Sequence, residues 1–116
     1  GKPAHRRSWE LDKLGDVLVV RDEISGSRAQ SVALNWHFSE ECSVTCTPDG
    51  LLVANGPVNL EIVLPPNGEV SLLRGSDSPL AGWVSRGYDR IVPSTTVTWR
   101  GRIEPGEELE TRIKRV

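Results

Sequence analysis

The chain has 116 residues, 37% of them hydrophobic and 26% charged, with 14 basic residues against 16 acidic for a net charge of −2. That length suits one domain, residues 1–116, burying roughly two-thirds of its unfolded surface. No stretch approaches the ~18 apolar residues of a membrane helix, and so balanced a charge speaks against nucleic-acid binding, which draws on a basic excess.

From the N-terminus onward the pattern alternates with period two, the mark of strands with one face in a core and one in water. Strands are expected near 5–12, 16–23, 30–38, 42–47, 50–54, 58–64, 69–74, 82–88, 95–104 and 108–115. In "SVALNWHF", Val32, Leu34, Trp36 and Phe38 share a face. "CSVTCT" sets Cys42, Val44 and Cys46 opposite Ser43, Thr45 and Thr47, and "VNLEIVL" aligns Val58, Leu60, Ile62 and Leu64. "TTVTWRGRI" aligns Val97, Trp99 and Ile103. The turns between them ("SGS", "PDG", "NGP", "PPNG", "PG") use Gly and Asn for positive φ and Pro to set the entry angle. About ten short strands so punctuated predict an all-β antiparallel β-sandwich. The final "EELETRIKRV" carries helix-spaced pairs (Glu108 with Arg112, Glu110 with Lys114) yet also alternates. So short a segment is a poor lone helix, and a strand is expected. "GSDSPLAG", 75–82, is loop-like.

Little in the sequence selects catalytic chemistry. On one strand Cys42 and Cys46 would lie ~13 Å apart, beyond disulfide reach. No further Cys or His stands at ligand spacing, so no metal or other cofactor is expected and both thiols should be small buried hydrophobes. His5, among Arg6 and Arg7, is expected to be solvated, and His37 to project from a polar strand face. No acid pair, nucleophile elbow or phosphate loop singles itself out, so no catalytic residue is assigned.

Four tryptophans beside one Tyr and one Phe are unusual. Trp36 and Trp99 fall on apolar faces and Trp9 in phase with Leu11, so all three are expected in the core, each indole N–H seeking a partner. Trp83 stands beside the loop. Were 84–90 extended, Arg86, Tyr88 and Arg90 would point one way, and two guanidiniums flanking a phenol suit a carboxylate- or sulfate-bearing ligand. The plainer alternative is a solvated strand edge, bent at Gly87, with Asp89 neutralising one Arg. The candidate substrate-binding residues are therefore Trp83, Arg86, Tyr88 and Arg90.

Two stretches resemble the C-terminal β-region of heparinase II/III-like polysaccharide lyases. The first is "HRRSWELDKLGDVLVVRDEISGSRAQSVALNWHFSEE": a basic strand, an apolar strand ending in Asp, a Gly turn, and a long strand closing on a His-hydrophobic-polar step. The second is "GWVSRGYDRIVPSTTVTWRGRIEPGEELETRI": Gly-Trp-x-Ser, Tyr, Pro, then two strands about a Pro-containing turn. The resemblance implies the closing part of a bacterial enzyme that cleaves uronic-acid-containing polysaccharides by β-elimination. It also implies an α/α-toroid domain elsewhere in the parent chain, an acidic polysaccharide as the parent's ligand, and a periplasmic or extracellular location. The family's catalytic motifs are not in this stretch, and Tyr88 does not stand in the catalytic-tyrosine motif. With no methionine behind Gly1, the chain is expected to be a piece of something longer, structural in role and flanking the substrate cleft. The rival expectation is a stand-alone carbohydrate-binding or adhesion module of the same shape. A sandwich that binds protein through an exposed apolar patch is a third.

Overall fold

The computed structural model describes residues 4–77, 80–85 and 90–116. Among them there is no helix, and all strand pairing is antiparallel. In chain order the strands are β1 (His5–Asp12), β2 (Val17–Ile24), β3 (Gln30–His37), β4 (Ser43–Thr47), β5 (Gly50–Asn55), β6 (Val58–Val63) and β7 (Glu69–Arg74). Then come two-residue β8 (Ser76–Asp77) and β9 (Leu80–Ala81), followed by β10 (Trp83–Ser85), β11 (Ile91–Pro93), β12 (Thr95–Ile103) and β13 (Glu108–Arg115). Of the stretch expected as one strand over 82–88, Trp83–Ser85 form β10, which pairs with β11, while 86–89 lie outside the described residues. The loop-like 75–82 contains the small β8–β9 pair.

The long strands form two sheets, one of six strands in the order β1-β2-β13-β6-β5-β4 and one of three in the order β3-β12-β7. Their facing sides share one core of Val32, Leu34, Leu51, Val53, Ile62, Leu64, Val97, Trp99, Ile103 and Leu109. The C-terminal segment is a strand in the middle of the larger sheet, between β2 and β6. There Leu109 and Thr111 point inward and are buried, while Glu108, Glu110 and Arg112 share the outer face. Six strands cannot be covered by three. Inward-pointing residues of the outermost strands are therefore left in solvent, and this overturns two expectations. Trp9 and Leu11 share the inward face with buried Val20, yet each remains 57% exposed, because β1 lies beyond the smaller sheet. Cys46, in register with buried Leu51, is exposed on the opposite edge strand β4, and Cys42 is half-buried; both thiols are free. Trp36 and Phe38 are half-buried and pack on the core as expected.

Trp99 is the largest of the fully buried side chains, 1% exposed, on the central strand of the smaller sheet. Its ring lies over Gly101 and beneath Gly68. A Cβ at Gly101 would stand 2.3 Å from Trp99 Cη2, and one at Gly68 2.1 Å from Cε2. The indole N–H donates to Pro65 O at 2.9 Å. Gly101→Ala must therefore push a rigid ring off its seat, and is expected to lower unfolding free energy by about 2–3 kcal/mol. Gly56→Ala meets no atom within 4 Å and bears only the cost of its φ of +59°, about 1 kcal/mol. Urea titrations of the two variants compare them directly, and equal losses would disprove the steric slot.

Candidate functional site

The sequence points first to the segment following Arg74. Gly82, at φ +79°, has its backbone against Arg74: a Cβ there would lie 2.7 Å from Arg74 Cα. This close approach lets Gly82 O accept two backbone N–H groups, from Gly75 at 2.8 Å and Ser94 at 2.7 Å. One carbonyl thus ties the end of β7 to the start of β12, and the β10–β11 hairpin grows from that knot. Trp83, in register with Pro93, is half-buried, and its indole N–H donates to Ser76 O at 3.0 Å. Its polar atom is committed to the protein. Arg90 is exposed. Arg86 and Tyr88 lie outside the described residues.

His37 sits where expected, exposed on the outer face of β3, its Nδ1 3.2 Å from Thr96 Oγ1. Beside it Thr98 donates to Asn35 Oδ1 at 2.7 Å, and Arg100 reaches Ser71 Oγ at 3.4 Å. This outer face is a hydrogen-bonded polar surface.

The most constructed polar cluster was not anticipated. Asp22 points inward from β2, in phase with Val20, and is 0% exposed. Arg7 grips it with Nε at 2.7 Å from Oδ1 and Nη2 at 3.2 Å from Oδ2. His5 Nε2 lies 2.7 Å from the same Oδ1. An ionised carboxylate only accepts, so Nε2 carries the hydrogen of this bond. The Arg7 guanidinium in turn sits 4.8 Å from the Trp36 ring centroid on β3 and 5.9 Å from that of Trp9. The cluster therefore joins the overhanging strand of one sheet to the edge strand of the other. His5 is not the freely solvated residue expected: 46% of its side chain is exposed, but its Nε2 is held. The signal was present in "VLVVRDEI", where Asp22 stands in the apolar phase of Leu18, Val20 and Ile24 and so demands an inward-facing cation. Trp36, expected to find a partner for its indole, has a buried Nε1 with none among the described residues, and the same holds for Thr111 Oγ1.

The heparinase II/III-like C-terminal family model matches residues 2–114. The chain belongs to that family. No curated protein and no solved structure matches it. Two motifs that carried the resemblance to the heparinase II/III-like family now have physical meanings. The Asp closing the apolar strand is the buried anchor Asp22, and the Gly-Trp step is the carbonyl knot with its overlying indole. Among the described residues, no group of three His, Cys, Asp or Glu side chains is placed to hold a metal ion.

On the outer face of the larger sheet Arg21 lies among Glu10 at 2.6 Å, Glu108 at 3.5 Å and Glu110 at 3.9 Å. Glu108 stands directly across from Glu23, and a hydrogen bond shared with Glu23 raises its carboxyl above the ordinary range. The folded chain thus keeps the Glu108 proton to higher pH than the unfolded chain does, so the contribution of Glu108 to stability falls as pH rises through and just above the ordinary carboxylate range. Glu108→Gln removes that slope. The melting temperature of the variant should rise relative to the parent across that window, and a difference independent of pH would refute the shared proton.

Removing one side of the buried cluster should be costly. Asp22→Leu leaves Arg7 half-buried without its anion and is expected to cost about 3–5 kcal/mol, whereas Arg7→Met with Asp22→Leu should recover most of it. Denaturant titration of the single and double variants measures both. A double variant no more stable than the single one would contradict the pairing.

Proposed function

We propose that the chain is the non-catalytic closing part of a heparinase II/III-like polysaccharide lyase. In that parent, a separate α/α-toroid domain supplies the β-elimination chemistry on a uronic-acid-containing polysaccharide. The sandwich gives the toroid a stiff partner, and the hairpin region around Trp83 and Arg90, with Arg86 and Tyr88 in the intervening sequence, flanks the substrate cleft. The observation that carries this reading is how the well-placed polar side chains are used. Both Asp22 oxygens, the His5 Nε2 and the Trp83 N–H are bonded to other parts of the chain, which is the work of a scaffold. β-Elimination requires a base for the C5 proton, neutralisation of the uronate carboxylate and an acid for the departing oxygen. Arg90, exposed and with no bonding partner among the described residues, is suited to the weaker task of meeting a sugar carboxylate.

The chain alone, incubated with heparan sulfate or alginate, should release no ultraviolet-absorbing unsaturated uronate. In the parent enzyme Arg90→Ala should raise KM several-fold with kcat little changed, as expected for a contact made equally in ground and transition states. Product from the isolated chain, or an unaltered KM in the Arg90→Ala enzyme, would defeat the proposal.

A further inference from the structure

Among the described residues β1 is an edge strand with an unused side. All eight of its residues pair with β2, without a bulge, and among the described residues nothing pairs with its other edge. Such an edge presents a row of free backbone donors and acceptors, and proteins usually blunt it with Pro, bulges or charged side chains. β1 has neither Pro nor bulge, its inward Arg7 is neutralised by Asp22, its inward Trp9 and Leu11 stand 57% exposed, and its outward charges are of both signs. On the outward face Arg6 is exposed and has no bonding partner among the described residues.

We propose that β1 pairs antiparallel with β1 of a second copy, joining the two larger sheets into one continuous sheet across a two-fold axis. The axis must stand normal to the sheet so that the inner faces remain on one side. Residues opposite one another then belong to the same face, which permits only registers centred on a residue facing its own copy. Centring on Arg7 or Glu10 sets like charges against each other. Centring on Trp9 sets Arg6 against Asp12, whose Oδ1 already accepts the turn N–H groups of Leu14 and Gly15 at 3.1 Å. Centring on Ser8 avoids both faults. It places Arg6 opposite Glu10 twice on the outer face, where Glu10 is 64% exposed and bonded on one side to Arg21. It also places Arg7 opposite Trp9 twice on the inner face, repeating between copies the cation–ring pairing already present within one. The smallest side chain on β1 lies at the pivot. The occupant is thus a second copy of this chain, specified by charge complementarity.

The test is light scattering coupled to size exclusion on the 116-residue chain, over concentrations from micromolar to millimolar. A concentration-dependent monomer–dimer equilibrium, weakened by salt, is expected. Each substitution counts twice in a symmetric dimer, so Arg6→Glu and Glu10→Arg should each weaken dimerisation by roughly tenfold or more. Arg6→Glu with Glu10→Arg together should restore it. Arg6→Glu is the decisive single variant, because it removes no contact among the described residues and thermal melts should show it folded. A monomer at every concentration, a dimer unmoved by Arg6→Glu, a double exchange weaker than either single one, or open-ended assemblies would each overturn the proposal.

Discussion

Trp99 sets the terms on which the two sheets meet. Its ring occupies a slot that exists only because positions 68 and 101 carry no side chain, and its N–H is satisfied by Pro65 O. Pro65 and Gly68 belong to the connection leading from β6 of the larger sheet to β7 of the smaller one. One side chain therefore fills the centre of the core, gives its polar atom a backbone acceptor and fixes the crossover between layers. A buried indole without that acceptor would cost on the order of 1–3 kcal/mol, so the path of the connection and the placement of Trp99 are one constraint.

From that centre outward the packing runs out of partners on the larger sheet, because three strands face six. Polar chemistry takes over at the margin. Asp22 is buried on the inward face, but it is reached by His5 and Arg7 from β1, and Arg7 extends to the Trp36 ring on the other sheet. The Arg7 and His5 donors on Asp22 belong to one register of β1, since a one-residue slip would turn both of them outward together with Trp9 and Leu11. The same margin leaves Trp9 and Leu11 exposed. What looks like a flaw in amphipathic pattern is the consequence of unequal sheets.

Such stiffness suits the proposed role. A wall beside a polysaccharide cleft, as proposed above, would have to present its groups at fixed positions, and the β10–β11 hairpin springs from a backbone knot on Gly82 O that binds two strands of the smaller sheet. Trp83 caps that knot with its N–H turned into the protein. Its place in the Gly-Trp-x-Ser motif therefore has a structural cause.

Much of this was legible in the chain itself. Period-two alternation located the long strands to within a residue or two, because one buried face imposes that period on every strand of a sandwich. The last segment followed the same logic: its helix-spaced ion pairs were outweighed by an alternation that buries Leu109 and Thr111. Alternation tells which residues share a face, however, and not whether that face is covered. Trp9 and Cys46 were therefore placed in the core by a rule that holds only under the opposing sheet. Asp22 was visible as an acid in an apolar phase, but its partners lie 15 and 17 residues away. They reach it only because the β1–β2 hairpin brings Arg7 directly opposite. The sequence by itself determined the strands, their faces and the family. The number of strands in each layer, the exposed margin and the commitment of Trp83, Trp99 and Asp22 to internal bonds were decided by tertiary structure, because each depends on what long-range pairing sets against a given face.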